Sequence, residues 1–305
     1  MHYFNRMLTA LLFLAAACKA QVPAQKPAVH AVKDNIKFNH LYLVLDSTTY
    51  QLLSDSVIFL KEFSGIRTTS TVTKDESWSG KYLYGKGQYL EIFGPAGYPG
   101  ARIGNHVLGF MTNKLGVLDS LYHYWESRKD SVERRDRTIV DKGVATPWFT
   151  TLSLYDKDSL PLRTFLLENA REELLQAGFT KEQLHQQIDY WDYMRYVRAK
   201  ARNISPDSIT FIKLFEKIEI LYLALSQKEL QLLREHLIDF GFTERDHSFI
   251  SDELKIHYKA KATGDQLLTQ MNIKLTRALP KQEIRLNKLT IEVSGEQAVF
   301  RFDRH

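Results

Sequence analysis

Cysteine is nearly absent, with Cys18 alone among 305 residues. That excludes a disulfide framework and cysteine-rich metal cages. No apolar run is long enough to cross a bilayer as a helix: Met7–Ala17 falls well short of the roughly 20 residues needed. Neither sign of charge is in large excess, with 41 Lys and Arg against 36 Asp and Glu. No basic block with interleaved aromatics occurs, and Arg134, Arg135 and Arg137 are interrupted by Asp136. A nucleic-acid surface is therefore not expected. The chain has no G-x-S-x-G, H-E-x-x-H or P-loop pattern. Gly85-Lys86-Gly87 has the form of a hairpin turn, not a phosphate cradle.

What is present begins with an export pattern. A short n-region with Arg6, the apolar stretch Met7–Ala17 and small residues up to Cys18 have the anatomy of a signal peptide over 1–17. Leu14-Ala15-Ala16-Ala17-Cys18 resembles a bacterial lipobox, which implies cleavage before Cys18 and lipidation of that residue. Ordinary secretion, with cleavage after Ala17 or Ala20, is the alternative. The lipidated reading makes the membrane a partner and predicts an exported lipoprotein on the outer membrane, facing the periplasm or the surface. It also takes the only thiol out of use. Removing residues 1–17 takes away Arg6 and no acid, so 40 basic residues face 36 acidic ones.

Residues 18–37 are rich in Pro, Ala, Gln and Lys without an apolar period, and are expected to form a flexible tether. From Phe38 the pattern is strand (38–45), helix (48–63) and three strands (66–73, 80–85, 88–93), one βαβββ unit. A second unit runs from 105 to 155, with its last strands near 133–141 and 148–155. Together they occupy 38–158. A helical insert covers 159–213, with helices at about 162–177 and from the Thr180–Gln183 capping box to about Arg202. Leu184, Ile188, Trp191 and Met194 form the apolar stripe of the second helix.

A third unit covers 214–305 and brings an internal repeat. LYLVLDSTTYQLL (41–53) and LYLALSQKELQLL (221–233) match at seven of thirteen positions without a gap. A duplicated strand-to-helix corner follows. The expected fold class is α+β, built from repeated βαβββ modules.

Strand alternation assigns faces. Leu41, Leu43 and Leu45 recur in the repeat and pack on the helix; His40, Tyr42 and Val44 face the other way. The same reasoning puts Tyr89, Glu91 and Phe93 on that second, concave face.

This module order, with HLYLVL as first strand and YLEIF as fourth, resembles the vicinal oxygen chelate superfamily of glyoxalases, bleomycin-resistance proteins and dioxygenases. FNHLYLVLDS and GKYLYGKGQYLEIFGP are also similar to an exported bacterial family of unknown function with a glyoxalase-like fold. The resemblance implies curled half-barrel sheets, with metal ligands on the first and fourth strands of each module. It assigns His40, Glu91 and His106 as ligands of a divalent metal (Zn, Ni, Mn or Fe), with no fourth ligand near Leu152–Tyr155 and Ile220 in place of His40 in the third unit. Two functions are compatible with these residues. One is a membrane-anchored protein that binds a small molecule or partner without catalysis. The other is a metal-dependent lyase, isomerase or dioxygenase. A neutral His40 bonded to Glu91, or Glu91 open to water, needs no metal. Tyr42, Arg67, Trp78, Tyr82, Tyr84, Tyr89 and Trp148 are candidate pocket residues, each equally explicable as packing.

Overall fold

A computed structural model describes residues 32–55, 62–141, 143–154 and 160–303. The signal segment, Cys18 and the tether as far as residue 31 lie outside the described residues. Residues 32–37 are not tether. Val32 and Asn35 sit in a turn, and Ile36 is already a buried part of the first strand.

The two corners marked by the repeat are built alike. Strand β1 (Ile36–Val44) leads into helix α1 (Ser47–Asp55), where Asp46 accepts from the Thr49 amide at 3.0 Å. Its counterpart β9 (Phe215–Leu225) leads into α5 (Gln227–Asp239) through a full capping box between Ser226 and Glu229. Different side chains at matched positions satisfy the same first-turn amides.

The first unit continues with β2 (Ile66–Val72), β3 (Ser77–Tyr84) and β4 (Tyr89–Phe93). The second has β5 (His106–Thr112), α2 (Val117–Ser127), β6 (Val132–Asp141), β7 (Val144–Leu154) and β8 (Leu162–Asn169). They share one eight-stranded sheet in the order β2-β3-β4-β1-β5-β8-β7-β6. In each unit the first and last strands pair in parallel, β1 with β4 and β5 with β8, and antiparallel pairing of β1 with β5 joins the units. The sheet curls until its edges meet: Thr73 bridges Ile139, and Glu76 lies 3.3 Å from Arg137.

Strand β8 corrects the expected helix over 162–177 and the expected fourth strand at 148–155. Leu162, Thr164 and Leu166 are buried on one face while Arg163 on the other is exposed, but Thr164 on the buried face and Phe165 and Leu167 on the other blur the two-residue alternation in the sequence. The adjoining Asn-Ala-Arg-Glu-Glu run then extends an apparent helical period backwards. The true helix is α3 (Arg171–Ala177), closed by Gly178 at φ 112°. The Thr180–Gln183 box is present, but it caps only a short 3-10 turn at Gln183–His185. A separate helix α4 (Tyr190–Arg202) follows. Thus the insert is helical only after β8, and α3, the turn and α4 share a small core of Leu174, Phe179, Leu184 and Ile188.

The third unit repeats the order with β10 (Thr243–Arg245), β11 (Ser248–Ile250) and β12 (Lys255–Ala260), and a long hairpin of β13 (Leu268–Leu286) and β14 (Leu289–Phe302) takes the place of the neighbouring module. Strand β14 runs unbroken over Leu289–Phe302. Leucine faces of both sheets meet in one apolar core that includes Leu41, Leu43, Leu108, Leu221 and Leu223. Among the described residues no helix is long and apolar enough to cross a membrane. The α+β class and the repeated βαβββ modules stand as expected.

Candidate functional site

The leucines claim one face of β1, so its other residues line the inside of the curled sheet. Register carries this across neighbouring strands. Arg67, Tyr82, Glu91, Tyr42 and Val107 form one transverse row, ending at Arg163 on β8. Tyr84, Tyr89, His40, Gly109 and Phe165 form the next. The concave face is therefore a stack of rings. His40 lies 4.9 Å from Tyr42, 4.6 Å from Tyr89 and 5.4 Å from Phe165, centroid to centroid. Trp78 stacks on Trp148 at 6.3 Å and donates to the Tyr82 hydroxyl at 2.9 Å. Helix α4 lies across this face, with Tyr190 stacked on Tyr89 at 5.5 Å.

Gly109 explains how His40 is seated. A Cβ added there would sit 2.2 Å from the His40 Nε2 atom, so the imidazole occupies the space a side chain would fill. A glycine inside a strand is a signal of such close approach. The His40 Nδ1 atom lies 2.7 Å from the Asn39 Oδ1 atom, while the Asn39 amide nitrogen donates to the Met111 sulfur at 3.7 Å. That orientation places the ring proton on Nδ1 and leaves a lone pair on Nε2. Nε2 is buried and has no hydrogen-bond partner among the described residues.

Burial sets the charge states. It lowers the His40 pKa to about 3, so the ring is neutral. It raises Glu91 to about 8, opposed by the nearby hydroxyls of Tyr89, Tyr82 and Tyr42, so at neutral pH the carboxyl is mostly protonated. Burial also pushes Tyr84 up to about 12 and holds Tyr42, Tyr89 and Tyr190 well above the usual phenol value. Glu91 Oε2 and the Tyr190 hydroxyl join His40 Nε2 as buried polar atoms without partners. Beside the cluster opens a cleft of about 440 Å³, walled by Asn39, Met111, Asn113, Tyr190 and Trp191. The Asn113 Oδ1 atom on its wall is also unpartnered. These groups offer hydrogen bonds from neutral donors and acceptors, one imidazole lone pair and one carboxyl proton.

His106 is not among them. It stands opposite Leu43 in the β1–β5 register and so shares the leucine face, with Nδ1 2.7 Å from the Gly104 carbonyl oxygen. Three residues separate it from Gly109, the true neighbour of His40, and an odd spacing on a strand reverses the face. The fourth-strand position of the second unit belongs to β8, whose concave-face residues are Arg163, Phe165 and Leu167. In the third unit His257 faces Tyr222 as Glu91 faces Tyr42. No group of three His, Cys, Asp or Glu suited to a metal occurs among the described residues. His40 and Glu91 share the concave face while His106 lies on the leucine face, so the three residues do not come together as one metal centre. The seven expected pocket residues do gather around this face, joined by Asn39, Gly109, Phe165, Tyr190 and Arg198. The last two come from the insert, and no sequence period ties them to the sheet.

The chain belongs to a family of unknown function (DUF5829), whose model matches residues 38–302. It is 30% identical over 92 residues to Protein brain tumor of Drosophila melanogaster, a match covering 30% of this chain and 9% of that protein. Among solved structures, it resembles a hypothetical protein from Staphylococcus aureus with a TM-score of 0.48 and 14% identity, over 82% of this chain and 96% of that one. Homoprotocatechuate 2,3-dioxygenase from Arthrobacter globiformis is similar with a TM-score of 0.34 and 9% identity, over 74% of this chain and 61% of that one.

Proposed function

For this member of the DUF5829 family we propose an exported lipoprotein, anchored through Cys18, that binds a small molecule at the ring-lined face around His40 and Glu91. One observation carries the binding role: His40 Nε2, Glu91 Oε2 and the Tyr190 hydroxyl are buried and have no hydrogen-bond partner among the described residues. Each unmet hydrogen bond in such a place costs about 1–3 kcal/mol, which a polar ligand or ordered water offsets. The adjoining cleft of about 440 Å³ is within the usual range for small-molecule sites. Anchoring is supported by the apolar segment ending at a lone cysteine. His106 stands on the opposite face from His40 and Glu91, which counts against the three-ligand metal reading.

Binding is tested by calorimetry with small aromatic alcohols and acids, 2-naphthol and 2-naphthoate among them. Saturable binding by the parent chain, weakened in Tyr190→Phe and Glu91→Ala, is the expected result. A parent chain that binds no member of the panel sinks this reading. Anchoring predicts radiolabelled palmitate incorporation in bacterial cells, lost in Cys18→Ser; equal labelling of both chains removes it.

A further inference from the structure

Arg128, Arg134, Arg137, Arg195 and Arg234 each have a carboxylate partner. Two arginines beside the ring cluster have none among the described residues. Arg67 stands in the row of Tyr82 and Glu91, at the β2 end. Arg198 comes from α4, with its guanidinium carbon 5.4 Å from the centre of the Trp191 ring. The two guanidinium groups act on the Tyr84 hydroxyl and on each other, so the two charges share one neighbourhood. Arg202 adds further repulsion on Arg198.

Nearby acids are committed elsewhere. Asp192 and Asp207 bind Arg195, and Glu173 accepts from the Tyr193 hydroxyl at 2.7 Å. Burial keeps Glu91, in the same strand row as Arg67, mostly protonated at neutral pH. Half-burying one guanidinium beside another is unfavourable unless an anion joins them, and a guanidinium fork matches the two oxygens of a carboxylate or phosphate. Tyr190, at the start of α4 and eight residues before Arg198, has a hydroxyl without a partner among the described residues, and its ring stacks on Tyr89 of the cluster.

We propose that Arg67 and Arg198 hold the anionic end of the ligand, whose apolar body rests on the tyrosine cluster, so that the site takes small anionic molecules with an aromatic or apolar body. This rests on the binding role proposed above. The Trp191 ring under Arg198 keeps its guanidinium extended, and the neutral state of Glu91 prevents an internal carboxylate from taking the anion's place.

The test compares 2-naphthoate with 2-naphthol on the full-length chain by calorimetry. The carboxylate is expected to bind at least tenfold more tightly than the alcohol at pH 7. Arg67→Gln and Arg198→Gln each bring the two ligands within about threefold, while Arg198→Lys keeps part of the preference. Because Arg67 is on an exposed edge strand, its variant decides the question even where Arg198→Gln fails to fold. Equal affinity of the parent chain for both probes, or a preference that survives Arg67→Gln, overturns the anion site and leaves the wider binding role standing. Failure of both probes and of the rest of the panel removes the binding role and the anion site together.

Discussion

Two buried histidines of this protein live in opposite circumstances. His236, on α5 at the junction of the two sheets, has both ring nitrogens engaged: Nδ1 with the Leu232 carbonyl at 2.9 Å and Nε2 with the Leu154 amide at 3.1 Å. Around it Trp125 donates to Asp239 at 2.7 Å, and Arg128 lies 3.0 Å from the same carboxylate. His40, on the concave face, has one nitrogen engaged and one idle. Burial lowers both, to about 4 and about 3. A depressed pKa therefore does not separate a packing histidine from a site histidine. Hydrogen-bond accounting does, since polar groups kept for structure are satisfied and those kept for a ligand are not.

The largest effect expected from breaking this contrast lies at the junction. Trp125 is fully buried between α2 and α5, and Trp125→Ala removes that volume while leaving Asp239 without its indole donor. A loss of about 3–5 kcal/mol in urea unfolding is expected. A loss below about 1 kcal/mol means the junction is not the tightly satisfied region described. Next comes Gly109→Ala. Its new methyl meets the His40 ring, and overpacking of this kind costs about 1–3 kcal/mol. In a His40→Ala background the same change costs almost nothing, because the ring that occupies the space is gone. Additive losses in that double-mutant cycle contradict the seating of His40 on Gly109. His236→Leu comes third, leaving the Leu154 amide without an acceptor for about 1–3 kcal/mol and ligand binding unaffected. Reduced binding in that variant erases the contrast from the other side.

How much of this was legible in the chain varies with the signal behind each element. The corners at 41–53 and 221–233 were visible because leucines alternate there and only one face is buried. Faces of His40, Tyr42, Tyr89 and Glu91 followed directly from that alternation. Strand β8 was hidden because Thr164 stands on its buried face and Phe165 and Leu167 on the other, and its leucines mimic a helix when joined to Arg171–Ala177. His106 was misplaced for a related reason. Asn39-His40 and Asn105-His106 look alike, but an irregularity between Phe38 and His40 and a register that sets His40 on Gly109 put the two imidazoles on opposite faces. Tyr190 and Arg198 were beyond reach, since only the folded chain brings α4 over the sheet.

The smallest effect at pH 5 is also the most discriminating, and it concerns Glu91→Gln. Below pH 8 the Glu91 carboxyl keeps its proton in the folded chain, so glutamine replaces one neutral group by another of the same shape. Stability at pH 5 should differ from the parent by no more than about 0.5 kcal/mol. The pH dependence carries the distinction. Between about 4.5 and 8 the unfolded chain releases this proton and the folded chain holds it, so the Glu91 contribution falls as pH rises and levels off above 8. The slope is at most about 1.4 kcal/mol per pH unit. His40 and His236 act in the opposite sense: the unfolded chain binds their protons first, so stability rises with pH until about 6.5 and is then flat. The phenols facing Glu91, from Tyr42, Tyr82, Tyr84, Tyr89 and Tyr190, stay neutral over this range. From pH 6.5 to 8 the difference between parent and Glu91→Gln therefore isolates one proton. The parent should lose stability relative to the variant across that window. Parallel curves mean that Glu91 is ionised in the folded chain, and with it would go both the neutral concave face and the vacancy for an external anion beside Arg67 and Arg198.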